Sequence, residues 1–160
     1  MKRTNYKGAK DEVRALSTYV KLLRAAESIS SRVHRHLAEE KLSISQFGVL
    51  EALYHVGELS QSEIAQKVLK STGNITMVID NLEKRKLVVR KRKDEDRRSY
   101  TIQLTNEGRK LISSLFPGHA AKIVKELNVL NAAEQVVLGN LCRRLGLQVI
   151  SNKRKGDSDE

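Results

Sequence analysis

The stretch Leu69-Lys70-Ser71-Thr72-Gly73-Asn74-Ile75-Thr76-Met77-Val78-Ile79-Asp80-Asn81-Leu82-Glu83-Lys84-Arg85 decides the fold. Ser71 stands where a helix cap is wanted, and Ile75, Val78, Ile79 and Leu82 recur on one helical face. The front of this helix is short-chained and polar. Directly after it, Leu87-Val88-Val89-Arg90-Lys91-Arg92 and Tyr100-Thr101-Ile102-Gln103-Leu104 read as two strands, with the polar segment Lys93 to Ser99 as the hairpin tip. A helix that fits a major groove, beside a basic loop that fits a minor groove, is equipment for holding duplex DNA.

Upstream, Ser43-Ile44-Ser45-Gln46 is a capping box, followed by the apolar face Phe47, Leu50, Leu53 and Tyr54 and by Gly57 as the stop. Ser60-Gln61-Ser62-Glu63 is a second capping box, opening a helix with Ile64, Ala65 and Val68 inward. Three short helices joined by tight turns make a helix-turn-helix. Before them, Val13, Leu16, Val20, Leu23, Ile29, Val33 and Leu37 predict one long helix from Asp11 to about Glu39. After the hairpin, Thr105 caps a helix to about Leu127 that Pro117 is expected to kink or break at Phe116-Pro117-Gly118. Asn131-Ala132-Ala133-Glu134 caps a last helix striped by Val137, Leu138, Leu141, Leu145 and Val149. The terminal stripes lie outside the compact module and need cover, which a partner subunit supplies.

Composition narrows the partners. With 160 residues the chain is a single domain with extensions, large enough for a real core. A formal net charge of +11 favours an anionic partner, nucleic acid or a membrane surface. No apolar run approaches the roughly 20 residues that span a bilayer, and Met1 to Lys10 lacks the apolar core of a secretory signal. One cysteine, Cys142, leaves no internal disulfide and suits a reducing compartment, so a cytoplasmic location is expected.

At this point the chain resembles the MarR family of winged helix-turn-helix regulators. The resemblance is carried by Leu42-Ser43 with Gln46-Phe47, Leu59-Ser60-Gln61 with Glu63-Ile64-Ala65, and Ser71-Thr72-Gly73-Asn74-Ile75-Thr76. It continues through Val78 to Arg85, Asp96-Arg97-Arg98 and Leu104-Thr105-Asn106-Glu107-Gly108, covering about Asp11 to Gly146. Lys86 departs from it, since the family usually has glycine there. The resemblance implies a mainly α fold with a small β-hairpin wing, the winged helix-turn-helix occupying about 43–104. It implies N- and C-terminal dimerisation helices at about 11–39 and 105–149 within a single domain of 11–150. Residues 1–10 are then a disordered basic arm and 151–160 a disordered tail. It further implies a homodimer that binds a pseudo-palindromic operator, commonly as a repressor, and that a small aromatic or phenolic ligand releases from DNA.

Ser71, Thr72, Asn74 and Thr76 are the expected DNA contacts of the helix, the last three at base-facing positions whose hydroxyl and amide groups match base edges. Arg98 is the expected minor-groove residue, held by Asp96, with Arg97, Arg92 and Lys93 nearer phosphates. Tyr19, Phe47, Tyr54, His55 and His119 are aromatic or titratable candidates for a ligand pocket. Cys142 reads as a buried inert thiol. His34 and His36, two apart on a helix, are expected to face different ways, so neither a metal nor any other cofactor is expected.

Two other classes compete with this reading. An RNA-binding or ribosome-associated basic protein fits the charge, but aromatic stacking platforms are scarce at 4% Phe, Trp and Tyr. An enzyme requires a nucleophile-base pair, a phosphate loop or a metal constellation, and the sequence offers none of these.

Overall fold

The computed structural model describes residues 6–68, 72–92 and 100–156, and comprises two units, Met1–Ala121 and Lys122–Glu160. In order come α1 (Lys10–His34), a 3-10 turn (Arg35–Ala38), α2 (Ile44–Val56), β1 (Leu59–Ser60), α3 (Gln61–Val68) and α4 (Thr72–Lys84). Then follow β2 (Val88–Arg92), β3 (Tyr100–Leu104), α5 (Asn106–Leu127) and α6 (Ala132–Gly156).

Helices begin where the polar caps put them. The Gln46 amide donates to Ser43 Oγ at 3.1 Å while the Ser43 amide donates to Gln46 Oε1 at 2.9 Å. Ser60 with Glu63, and Asn131 with Glu134, repeat the reciprocal bond at the heads of α3 and α6. Each pair satisfies two amides that the first helical turn leaves without partners.

The core of the first unit is built from α2, α3, α4 and the sheet. Phe47, Leu50, Leu53, Ile64, Ile75, Ile79, Leu82 and Ile102 are fully buried, joined by Leu37 before α2 and Ile112 of α5. The sheet is antiparallel in the order β1-β3-β2, with Arg90 opposite Ile102 and Arg92 opposite Tyr100. β1 is a pair of residues, Leu59 and Ser60, laid against Ile102 and Thr101. It ties the start of α3 to the hairpin.

Two helix ends share one design. After α4, the Leu87 amide donates to Leu82 O and the Lys86 amide to Glu83 O, with Lys86 left-handed at φ 57°. After the 3-10 turn, Leu42 donates to Leu37 O and Lys41 to Ala38 O, with Lys41 at φ 54°. Both are Schellman closures in which lysine occupies the place glycine prefers. Arg85 joins them, its guanidinium donating to Lys41 O at 2.8 Å and Glu40 O at 3.1 Å. Beside the first turn, Gly108 sits where an added Cβ would lie 1.9 Å from Leu87 O, so α5 starts flush against the α4–β2 connection.

Four expectations need correction. The long first helix ends at His34 and tightens into the 3-10 turn Arg35–Ala38, with Val33 before it and Leu37 within it both buried. α5 runs unbroken through Pro117. Ile112 and His119, buried on either side, hold both halves against the core and offset the missing amide. α6 continues through Gly156, so the tail expected from 151 is helical to that point; no glycine or proline interrupts it after Gly146. Cys142 is exposed in the single chain rather than buried.

In the second unit, Gln135 Nε2 donates to Leu130 O at 3.0 Å and Leu127 O at 3.2 Å, closing the turn into α6. Val137, Leu138, Leu141 and Leu145 stand exposed along that helix. The Val149 side chain lies outside the described residues. On α1, Leu16, Tyr19, Val20 and Leu23 are exposed in the same way.

Candidate nucleic-acid interface

α4 is amphipathic for a plain reason: Ile75, Ile79 and Leu82 repeat at helical spacing and are wholly buried. That burial turns Gly73, Asn74, Thr76, Met77, Asn81 and Lys84 to solvent. Asn74 is exposed on that face, and its side-chain amide carries both a donor and an acceptor. Thr76 is held in place, since Gln61 Nε2 of α3 donates to its Oγ1 at 2.6 Å. α3 thereby fixes the Thr76 hydroxyl on the outward face of α4.

The hairpin is locked to the same helix. The Arg90 guanidinium of β2 pairs with the carboxylates of both Asp80 and Glu83 on α4. Its backbone amide donates to Glu83 Oε1 at 3.2 Å. The bond to Asp80, followed by the charges of both carboxylates, raises the Arg90 pKa further above its ordinary value despite partial burial. At the far end of β2, Arg92 Nε donates to Tyr100 Oη at 3.1 Å, and the guanidinium lies 5.7 Å from the tyrosine ring centre. Arg92 is therefore an exposed cation aimed by its cross-strand partner, just before the tip.

Asn74 and Thr76 stand exposed on α4, and Arg92 stands exposed at the end of β2. Ser71, Lys93, Asp96, Arg97 and Arg98 lie outside the described residues, as does the Thr72 side chain. Sequence reasoning passed over Gln61, Asp80, Glu83 and Arg90. The signal was present in part, because Asp80 and Glu83 are three apart on one helix and so share a face toward a basic strand.

The five candidate ligand residues do not gather. Phe47 and His119 are buried and in contact, ring centres 4.4 Å apart. Tyr54 and His55 meet Phe116 instead, with His55 at 4.5 Å from its ring. Tyr19 is 59% exposed on α1, beside an open recess lined by Tyr6, Glu12, Ala15 and Leu16. The histidine expectation also fails in part. His34 and His36 both reach His119, at ring distances of 5.2 and 5.5 Å, because the 3-10 turn swings His36 back. Their Nδ1 atoms contact Ser30 O and Val33 O at 2.8 and 2.9 Å. No metal-holding cluster occurs among the described residues, and no described helix is long and apolar enough to cross a membrane.

Comparisons with known proteins agree with this geometry. A sequence model described as the MarR family matches residues 42–100. The HTH-type transcriptional regulator MhqR of Bacillus subtilis is 36% identical over 134 residues, 84% of this chain and 92% of that relative. A solved structure of BpsR from Bordetella bronchiseptica, whose DNA binding is regulated by 6-hydroxynicotinic acid, aligns with TM-score 0.71 and 29% identity. That alignment covers 78% of this chain and 89% of BpsR. Sco3205 of Streptomyces coelicolor, a MarR family regulator solved with DNA, aligns over 90% of this chain and 91% of its own with TM-score 0.79. At 20% identity that likeness speaks to the fold alone.

Proposed function

The chain belongs to the MarR family of DNA-binding transcriptional regulators, and on that premise we propose that it acts as a homodimeric repressor of a pseudo-palindromic operator. The observation that carries this reading is the Arg90–Asp80–Glu83 lock, which sets a groove-sized helix and a basic hairpin in one rigid piece. α4 enters the major groove with Asn74 and Thr76 toward base edges, and the hairpin reaches the neighbouring backbone and minor groove through Arg92, Lys93, Arg97 and Arg98. Thr72 opens α4, whose N-terminal amides attract a phosphate, and Ser71 precedes it in the sequence.

The exposed apolar residues of α1 and of α6 support dimerisation. A row such as Leu16, Val20 and Leu23, or Val137, Leu141 and Leu145, costs free energy in water and is covered by a second copy. Release by a small aromatic ligand is the reading that BpsR supports. Tyr54, His55 and Phe116 are the accessible aromatic group for such a ring, whereas Phe47 and His119 already fill one another's space.

Selection of duplexes from a random pool by the full chain tests the proposal. An enriched inverted repeat, with half-sites about one helical turn apart, supports it; enrichment of single unpaired sites, or of nothing, opposes it. Transcription from a promoter carrying the selected site falls on adding the chain and recovers with an aromatic acid or phenol.

A further inference from the structure

The outward face of α4 holds one large apolar side chain among the described residues. Met77 is 66% exposed at the middle of the helix, about 200° around the axis from the buried Ile75. Its neighbours on that face are polar or absent: Asn74, Thr76, Asn81 and Lys84 surround it. One turn earlier Gly73 carries no side chain, and nothing lies within 4 Å of where its Cβ would be. That gap lets the backbone approach a ligand closely and leaves Met77 as the projecting group.

We infer that Met77 is a specificity-determining residue that reads the C5-methyl group of a thymine in each half-site. This rests on the DNA-binding reading above. The hydroxyl and amide groups of Thr76 and Asn74 suit the donors and acceptors of base edges, but thymine alone presents an apolar group in the major groove. An unbranched thioether is the side chain that adapts to such a contact, since it bends around a methyl without a fixed rotamer. An exposed methionine in this place is thus a reader of methyl rather than a remnant of the core.

The test substitutes deoxyuridine for each thymidine of the selected duplex, one at a time, which removes a methyl and nothing else. The full chain loses affinity about fourfold at one position in each half-site, the factor expected for burying one methyl-sized group. Met77→Ala binds thymidine and deoxyuridine equally there, while Met77→Leu keeps the discrimination. Wild-type indifference at every thymidine overturns the inference, and so does Met77→Ala retaining the wild-type preference. A dimer-to-monomer change in Met77→Ala assigns the residue to a protein contact and also overturns it. Those results leave DNA binding intact, whereas failure to enrich any duplex removes both readings together.

Discussion

The Arg90 guanidinium on β2 pairs with the Asp80 carboxylate on α4 and takes Glu83 in the same grip. A fork of this kind satisfies two carboxylates at once and fixes direction as well as charge. α4 and the base of the hairpin are therefore held at a set separation, which the proposed DNA-binding mode uses. Asp80→Asn is expected to weaken operator binding about fivefold while lowering folding stability by about 1 kcal/mol, the scale of a half-exposed pair. Arg90→Lys is expected to weaken binding to a similar degree, because an ammonium cannot grip both carboxylates in the same plane. Duplex titration with a parallel thermal melt checks this; unchanged affinity in both variants removes the lock from the mechanism.

Lys86 pays for its left-handed backbone, φ 57°, with steric strain that glycine lacks. Lys86→Gly is expected to raise stability by about 1 kcal/mol. Denaturant unfolding measures it, and a loss of stability would show that the lysine side chain contributes more than its backbone costs.

Gly108 behaves in the opposite sense. A Cβ there meets the Leu87 carbonyl oxygen at 1.9 Å, a backbone atom held by the Thr105 amide. Gly108→Ala is expected to cost about 2–3 kcal/mol through forced displacement of the α5 start. A melt unchanged from wild type would mean that α5 shifts freely.

Asn74 and Arg92 separate base reading from charge. Asn74→Ala is expected to narrow the gap between selected and random duplex, whereas Arg92→Ala weakens both about equally and lowers the salt slope by about one unit per chain. Tyr100→Phe removes the bond that aims Arg92 and gives a smaller loss of the same kind. Titrations at several salt concentrations discriminate the two patterns.

Much of this was legible in the residues. The caps at Ser43, Ser60 and Asn131 are local chemistry, complete within four residues, and each forms as the sequence predicts. The inward faces of α2, α3 and α4 follow from periodicity. β1 was not legible, because two residues carry no alternation and pair only through tertiary contact with β3. The unbroken α5 was equally hidden, since a proline signals a stop locally and only packing on both sides overrides it. His34, His36 and His119 meet because a 3-10 turn changes the angle between two nearby side chains, which helical spacing misreads. On the outward face of α4, the polar residues signal a contact surface and Met77 does not. Its apolar side chain looks like core until the buried face of α4 is known.

On the proposed function, two copies of this chain hold one duplex. Sedimentation of the chain alone, and then with the selected inverted repeat, measures this. Two chains per particle in free solution, and two chains on one duplex, are predicted. A single-chain particle that leaves the sedimentation of the duplex unchanged would rule out a dimeric DNA-binding protein.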